Sequence, residues 1–366
     1  MIAVWGMRNI LVINPGSTST KVAVFVDEEE QAASTVVHST GELAAFASVA
    51  DQAGMREERV RAFLGEHGIF LGSLNAVVAR GGLLKPIEGG LYGVNECMLE
   101  DLRTARYGEH ASNLGAMIAH SIATEAGCGA FVADPVVVDE MEDVARISGL
   151  PCIVRRSIFH ALNQKSVARR VAAEIGREYS DCSFIVAHMG GGISVGAHRG
   201  GRVVDVNNAL DGDGPFSPER SGGLPVKALM DLFFEGKHTR EQIGRMITGQ
   251  GGLVAYRGTN RLDELRSLAG EGDAEAQLLC DALAYQISKE IAMHGATLSG
   301  EVDRIILTGG LAHDEALVSS IRERVSFLAQ VEVVPGEREM QALVESYLAA
   351  ADGREQVKEY VNDEVV

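Results

Sequence analysis

Two short segments share a plan that suits holding an anion. "ILVINPGSTSTKVAVF" (residues 10–25) and "FIVAHMGGGISVGAH" (184–198) each run from an apolar strand through a polar residue and a turn rich in Gly and Ser/Thr into a second strand. Asn14 stands two positions before Gly16, and His188 two before Gly190. Glycine lets backbone N–H groups approach an anion unobstructed, and successive turn amides can form a nest. Ser17, Ser19 and their threonine neighbours add hydroxyl donors, and Lys21 adds either a cation for phosphate or a solvent-facing strand residue. Either hairpin alone reads as an ordinary turn. The repetition argues for phosphate binding at Gly190 and Gly192 as at Ser17 and Ser19. A third segment, "VDRIILTGGLAHDEALV" (302–318), ends a strand at Gly309-Gly310, where bare backbone suits a flat ring such as adenine beside a helix N-terminus.

The elements that must carry these turns alternate along the chain. "LNAVVARGG", "FVADPVVVDE" and "VEVVPGE" read as further short strands, with helical stretches between them. Leu114, Met117, Ile118 and Ile122 fall at helical spacing, as do Leu279, Leu283, Ile287 and Ile291, so both sets are expected to face a core. This order predicts α/β architecture with mixed sheets and two halves that open with the same hairpin. The expected domains are 1–155, which a C-terminal helix over 341–366 can complete, and 156–340. There is no G-x-x-x-x-G-K-[ST] P-loop, and no G-x-G-x-x-G opens a helix in the first βα unit.

The chain has 366 residues and a formal charge of −18, which disfavours nucleic acid. Against that field an anionic substrate needs a locally positive site, which makes arginines in glycine-rich segments suspect. Five cysteines are scattered without a C-x-x-C pair, against a disulfide framework or zinc site. No stretch approaches the roughly 18 apolar residues of a membrane span. "MIAVWGM" before Arg8 is too short for a signal peptide, so a soluble cytoplasmic protein is expected.

Taken in order, the two hairpins and the Gly-Gly strand end resemble the ATPase superfamily of sugar kinases, actin and heat-shock chaperone ATPases. Within it "NPGSTSTK" is similar to the amino-terminal signature of the acetate and butyrate kinase family. "HMGGGISVGAH" followed by "GDGPFSPERSGGLP" is closer to its butyrate kinases than to its acetate kinases. The resemblance implies two ribonuclease-H-like domains of duplicated fold facing each other across a cleft, with ATP and Mg²⁺ as cofactors. It carries phosphate and metal contacts over to Asn14, Ser17, Ser19 and Lys21, and catalytic roles to Arg80 of "VVARGG", Arg220 of "SPERSGG", Asp134 of "FVADP" and His160 of "RRSIFHAL". It also brings over His188, and His110 with Asn113 from "YGEHASN". Glu339 is the expected metal-side glutamate, with Glu337 the alternative. Gly191, His313 and Asp314 depart from the acetate kinase pattern. A homodimer or higher homo-oligomer is implied as well.

The implied reaction is reversible in-line transfer of the ATP γ-phosphoryl group to butyrate. A short-chain acid has a pKa near that of Glu, about 4.3, so its oxygen is already ionised at neutral pH and no strong base is needed. The obstacle is charge, since a carboxylate must meet a phosphoryl group whose transition state spreads negative charge over three oxygens. Fixed cations and donors are therefore the expected catalysts. Asp134 can take a water-mediated Mg²⁺ contact or orient an arginine, and Mg²⁺ needs only one or two carboxylates. Rival expectations are acetate, propionate or a branched-chain acid as acceptor, an actin- or chaperone-like ATPase, or a sugar kinase with Asp134 as base.

Overall fold

A computed structural model describes residues 7–362; the leading "MIAVWG" of the signal-peptide question lies outside them. The chain splits into two compact units, one of Met1–Val138 with Arg338–Val366 and one of Asp139–Glu337. Segment 139–155 bonds within the second unit: Glu142 N donates to Val204 O at 2.9 Å, and Arg155 Nη1 to Asp205 Oδ1 at 2.9 Å.

In the first unit the strands are β1 (Asn9–Pro15), β2 (Ser19–Val26), β3 (Glu29–Val37), β4 (Ala76–Arg80), β5 (Leu91–Gly93), β6 (Gly129–Ala133) and, far along the chain, β12 (Lys358–Glu359). They form one sheet in the order β12-β5-β6-β4-β1-β2-β3. β1, β2 and β3 are an antiparallel meander, and β4 and β6 add parallel to β1. In the second unit β7 (Ser183–Met189), β8 (Ile193–Arg199), β9 (Arg202–Val206), β10 (Arg304–Gly309) and β11 (Val331–Pro335) form the order β11-β10-β7-β8-β9. Here too a meander, β7-β8-β9, is extended by two parallel strands. The five strands β6-β4-β1-β2-β3 therefore repeat as β11-β10-β7-β8-β9, and the duplicated fold is real.

The central strands of each sheet are buried on both faces, since side chains alternate with period two and apolar elements cover either side. Leu11 and Ile13 join Val60, Phe63, Leu114 and Ile118 in one core, while helix Glu339–Ala351 packs against β1, β4 and β6. In the second unit Ile185 and Ala187 meet Leu283, Ile287 and Ile291 of helix Ala274–Thr297; Phe184 and Val186 meet Val167 and Val171 of helix Ala161–Glu174. Both predicted apolar stripes thus lie on helices, Asn113–Ala126 and Ala274–Thr297. The expected C-terminal helix over 341–366 is instead a helix over Glu339–Ala351 followed by β12, broken at Gly353, whose φ of 74° leaves helical space.

Candidate active site

In the first unit the carboxyl ends of parallel strands β1, β4 and β6 gather the expected residues. Asn14 is buried, and its Nδ2 donates to Glu339 Oε2 at 2.6 Å. Arg80 closes β4, with Nη1 3.0 Å from Glu339 Oε1. Glu339 opens its helix, where the positive end of the helix dipole favours a carboxylate. Asp134 follows β6, whose Ala133 pairs with Arg80. Its φ of 35° is held by a reciprocal clasp in which Gly90 N donates to its Oδ1 at 2.7 Å and its own N–H to Gly90 O at 3.1 Å.

The turn after Asn14 closes through Gly16 N donating to Ser19 O at 2.7 Å. Ser17 is exposed, as is Lys21, which pairs directly opposite Asn14 in the β1–β2 register. The turn is gripped from behind by a residue that sequence reading missed. Arg56, fully buried on helix Ala53–Glu66, donates from Nη1 to Gly16 O at 2.7 Å and Ser19 O at 3.2 Å, and from Nη2 to Ser17 O at 3.3 Å. Its guanidinium takes up the turn's carbonyls. Burial lowers its pKa, with the charge of Glu42 pulling the other way.

His110 and Asn113 flank this group. The Ser112 N–H donates to His110 Nδ1 at 3.2 Å, so that nitrogen is an acceptor. His110 keeps an exposed edge, yet desolvation by its dense surroundings, and then the charge of Arg80, push its pKa down. Asn113 is structural: Oδ1 accepts from Leu83 N at 2.8 Å and Nδ2 donates to Gly108 O at 2.9 Å, tying down the loop after Arg80.

The second unit gathers its own set at the carboxyl end of β7 and the β7–β8 turn. His188 is buried, its Nδ1 2.8 Å from Asn163 Oδ1 and its Nε2 3.2 Å from Glu337 Oε1, the latter too poorly aligned for a hydrogen bond. The ring of His160 stacks on that of His188, centroids 3.8 Å apart and planes 10° from parallel. The turn closes by Gly190 N donating to Gly192 O at 3.0 Å. Arg220 lies across it: a Cβ on Gly192 would sit 1.9 Å from Arg220 Nη1, so only glycine admits the guanidinium there. Arg220 Nη1 also donates to Ala209 O, and burial lowers its pKa against the pull of Glu219 and Asp211.

Glu337 and Glu339, two residues apart, thus serve different groups: Glu337 faces His188, and Glu339 faces Asn14 and Arg80. Gly309 ends β10 at a φ of 87°, where a Cβ would meet Met189 O at 2.4 Å; a Cβ on Gly310 would meet nothing within 4 Å. Asp314 caps helix Glu315–Val325 by accepting from Leu317 N and pairs with Arg266 at 3.1 Å. Asp211 and Asp213 brace their own loop, each accepting from Asn208.

The family model described as the acetokinase family matches residues 150–344. The chain is 52% identical over 351 residues to butyrate kinase 2 of Clostridium acetobutylicum, an alignment that spans 96% of this chain and 99% of that protein. The chain belongs to the acetokinase family. Among solved structures it is similar to the acetate kinase of Porphyromonas gingivalis (TM-score 0.75, 17% identity, 93% of this chain and 99% of that one). It is equally similar to a propionate kinase of Francisella tularensis (TM-score 0.74, 18% identity, the same coverage). At those identities the likeness is one of fold.

Proposed function

We propose that this chain transfers the γ-phosphoryl group of ATP to butyrate, giving butyryl phosphate and ADP by reversible in-line displacement. The observation that carries the choice of acid is the 52% identity to a butyrate kinase over nearly the whole of both chains. The chemistry fits what each unit holds. Butyrate is ionised at neutral pH, so the site needs no base but needs fixed positive charge and donors. Arg80 and Arg220 supply planar forks matched to carboxylate and phosphoryl oxygens, and His160 and His188 supply ring donors. The glycine turn at Gly190 and Gly192 and the hydroxyl turn at Ser17 and Ser19 are assigned to phosphates, with Lys21 as a solvent-side cation. The open backbone at Gly310, beside the strained Gly309, is assigned to the adenine.

Mg²⁺ belongs to this reading. Among the described residues no group of three or more His, Cys, Asp or Glu could hold a metal. A phosphate-bound Mg²⁺ needs only one or two protein oxygens besides water. Glu339 and the amide oxygen of Asn14 fit that need, since Asn14 turns its nitrogen to Glu339. When bound, the ion neutralises charge on the β- and γ-phosphate oxygens. Asp134 then serves to shape the strand end beside Arg80.

We take the two compact units as the two domains, in place of limits at 155/156 and 340/341, because segment 139–155 bonds to the second unit. A homo-oligomer is supported by helix Val226–Phe234, which buries none of its residues and leaves Val226, Met230 and Phe234 at 73%, 53% and 76% exposure. Among the described residues no helix is long and apolar enough to cross a membrane, and a cytoplasmic location accords with ATP as substrate. The test is acyl phosphate trapped as hydroxamate from acids of two to five carbons. Butyrate should give the highest kcat/KM, with neighbours reduced by the 1–3 kcal/mol that one methylene is worth. A maximum at acetate or propionate would move the assignment to that acid.

A further inference from the structure

Behind His160 runs a buried chain of hydrogen bonds whose direction is fixed at every link. Gln164, on helix Ala161–Glu174, places Nε2 3.0 Å from the carbonyl oxygen of Ser194. A carbonyl only accepts, so the amide can sit one way round. Its Oε1 therefore faces His198 Nε2 at 3.0 Å as an acceptor, and that nitrogen must carry a proton. The other imidazole nitrogen, Nδ1, lies 2.7 Å from the Tyr179 hydroxyl. Burial, and then the charge of Lys165, hold His198 well below the usual histidine pKa, so its Nδ1 is bare and accepts the phenol proton.

The same polarity propagates the other way. The second hydrogen on Gln164 Nε2 goes to Ser194 Oγ at 2.8 Å, and the backbone N–H of His160 also points at that oxygen, at 3.4 Å. Both of these neighbours are donors. Among the described residues the one acceptor for the serine hydrogen is His160 Nδ1, 2.9 Å away. Gln164, Ser194 and His198 are each fully buried, which keeps water from supplying another partner. Gly196 keeps the path open, because a Cβ there would lie 2.7 Å from Gln164 Oε1.

We infer that the relay Tyr179–His198–Gln164–Ser194 fixes His160 in the tautomer that carries its proton on Nε2, so that Gln164 and Ser194 are positioning residues for phosphoryl transfer. The functional half of this statement rests on the proposed kinase reaction, in which His160 donates from Nε2 to a phosphoryl oxygen. The tautomer itself does not.

The test is two-bond ¹H–¹⁵N NMR of the full chain labelled with ¹⁵N-histidine, with His160→Gln used to assign the signal. Wild type should show His160 protonated at Nε2 and bare at Nδ1; the opposite tautomer in wild type overturns the inference outright. In Gln164→Glu a carboxylate replaces the amide donor and takes the serine hydrogen. His160 must then donate from Nδ1. The signal should switch tautomer and kcat should fall by about 10²-fold, as for loss of one oriented donor, with KM for both substrates unchanged. A Gln164→Glu protein that keeps Nε2–H and full kcat overturns the inference. Ser194→Ala, which deletes only a hydroxyl, should leave a mixture of tautomers and an intermediate kcat; a pure Nε2–H signal there contradicts it. If wild type makes no butyryl phosphate, the reaction assignment fails while the tautomer result stands on its own.

Discussion

The two hairpins occupy equivalent places in equivalent sheets, yet an arginine serves each differently. In both units the next-to-last residue of the first strand is polar, Asn14 or His188, and faces the first turn of a helix, at Glu339 in one case and Asn163 in the other. In the first unit Arg56 lies beneath the turn, fully buried, with Nη1 and Nη2 on the carbonyls of Gly16, Ser17 and Ser19. In the second unit Arg220 lies over the turn, only partly buried, against the bare Cα of Gly192. A guanidinium whose donors are taken up by backbone carbonyls stiffens a loop. One laid on glycine with donors to spare can meet a ligand. What separates a structural arginine from a chemical one is the set of partners its forks already have, and residue type alone does not tell them apart.

The comparison can be broken from either side. Arg220→Ala should cost about 10²–10³-fold in kcat while the melting temperature stays near that of wild type, because a fixed donor to developing charge is lost. Gly192→Ala tests the same placement without touching the arginine. Its methyl would displace Nη1, and kcat should fall about tenfold or more with far-UV dichroism unchanged. Full activity in Gly192→Ala would mean that the position of Arg220 over the turn is immaterial.

On the other hairpin the order of effects should invert. Arg56→Met removes a donor from three turn carbonyls, of which that of Ser19 keeps its bond from Gly16 N, and should lose about 2–3 kcal/mol of stability, read by urea denaturation. Whatever activity remains should follow the folded fraction. A variant as stable as wild type but inactive would give Arg56 a chemical role like that proposed for Arg220 and erase the contrast.

The smallest effect distinguishes the second unit by pH. Glu290 has its pKa raised to about 7, by burial first and then by Asp213 and Asp205, with Arg155 opposing. The folded state then holds a proton that the unfolded chain, titrating near its ordinary value, has given up. Stability from this carboxyl is therefore present below the unfolded pKa and lost as pH rises toward 7. Glu290→Gln should flatten that loss and stabilise the protein by about 1–2 kcal/mol at pH 8 relative to wild type, with little difference at pH 4.5. A variant no more stable than wild type at pH 8 would remove the group from the account.

Much of this was legible in the sequence because strands and helices announce themselves locally. The strand–turn–strand echo located Asn14 and His188 at equivalent positions, and period 3.6 located two core helices. Arg80, Glu339 and Asn14 were each singled out, but their meeting was not, since 259 residues separate the first two. Arg56 was hidden in "GMREERVRAFLG", which reads as a solvated charged helix. A signal existed: Arg56 stands four residues before Val60 and seven before Phe63, on the stripe that faces the core. The relay behind His160 had no such signal. Its Gln, Ser and His come from a helix and a strand that long-range pairing alone brings together.

The most direct test of the central claim is the stoichiometry of ADP to acyl phosphate in a single assay with ATP, Mg²⁺ and butyrate. The account predicts one butyryl phosphate for each ADP, and negligible ADP when the acid is left out. ADP released at the same rate with or without any carboxylic acid would contradict it.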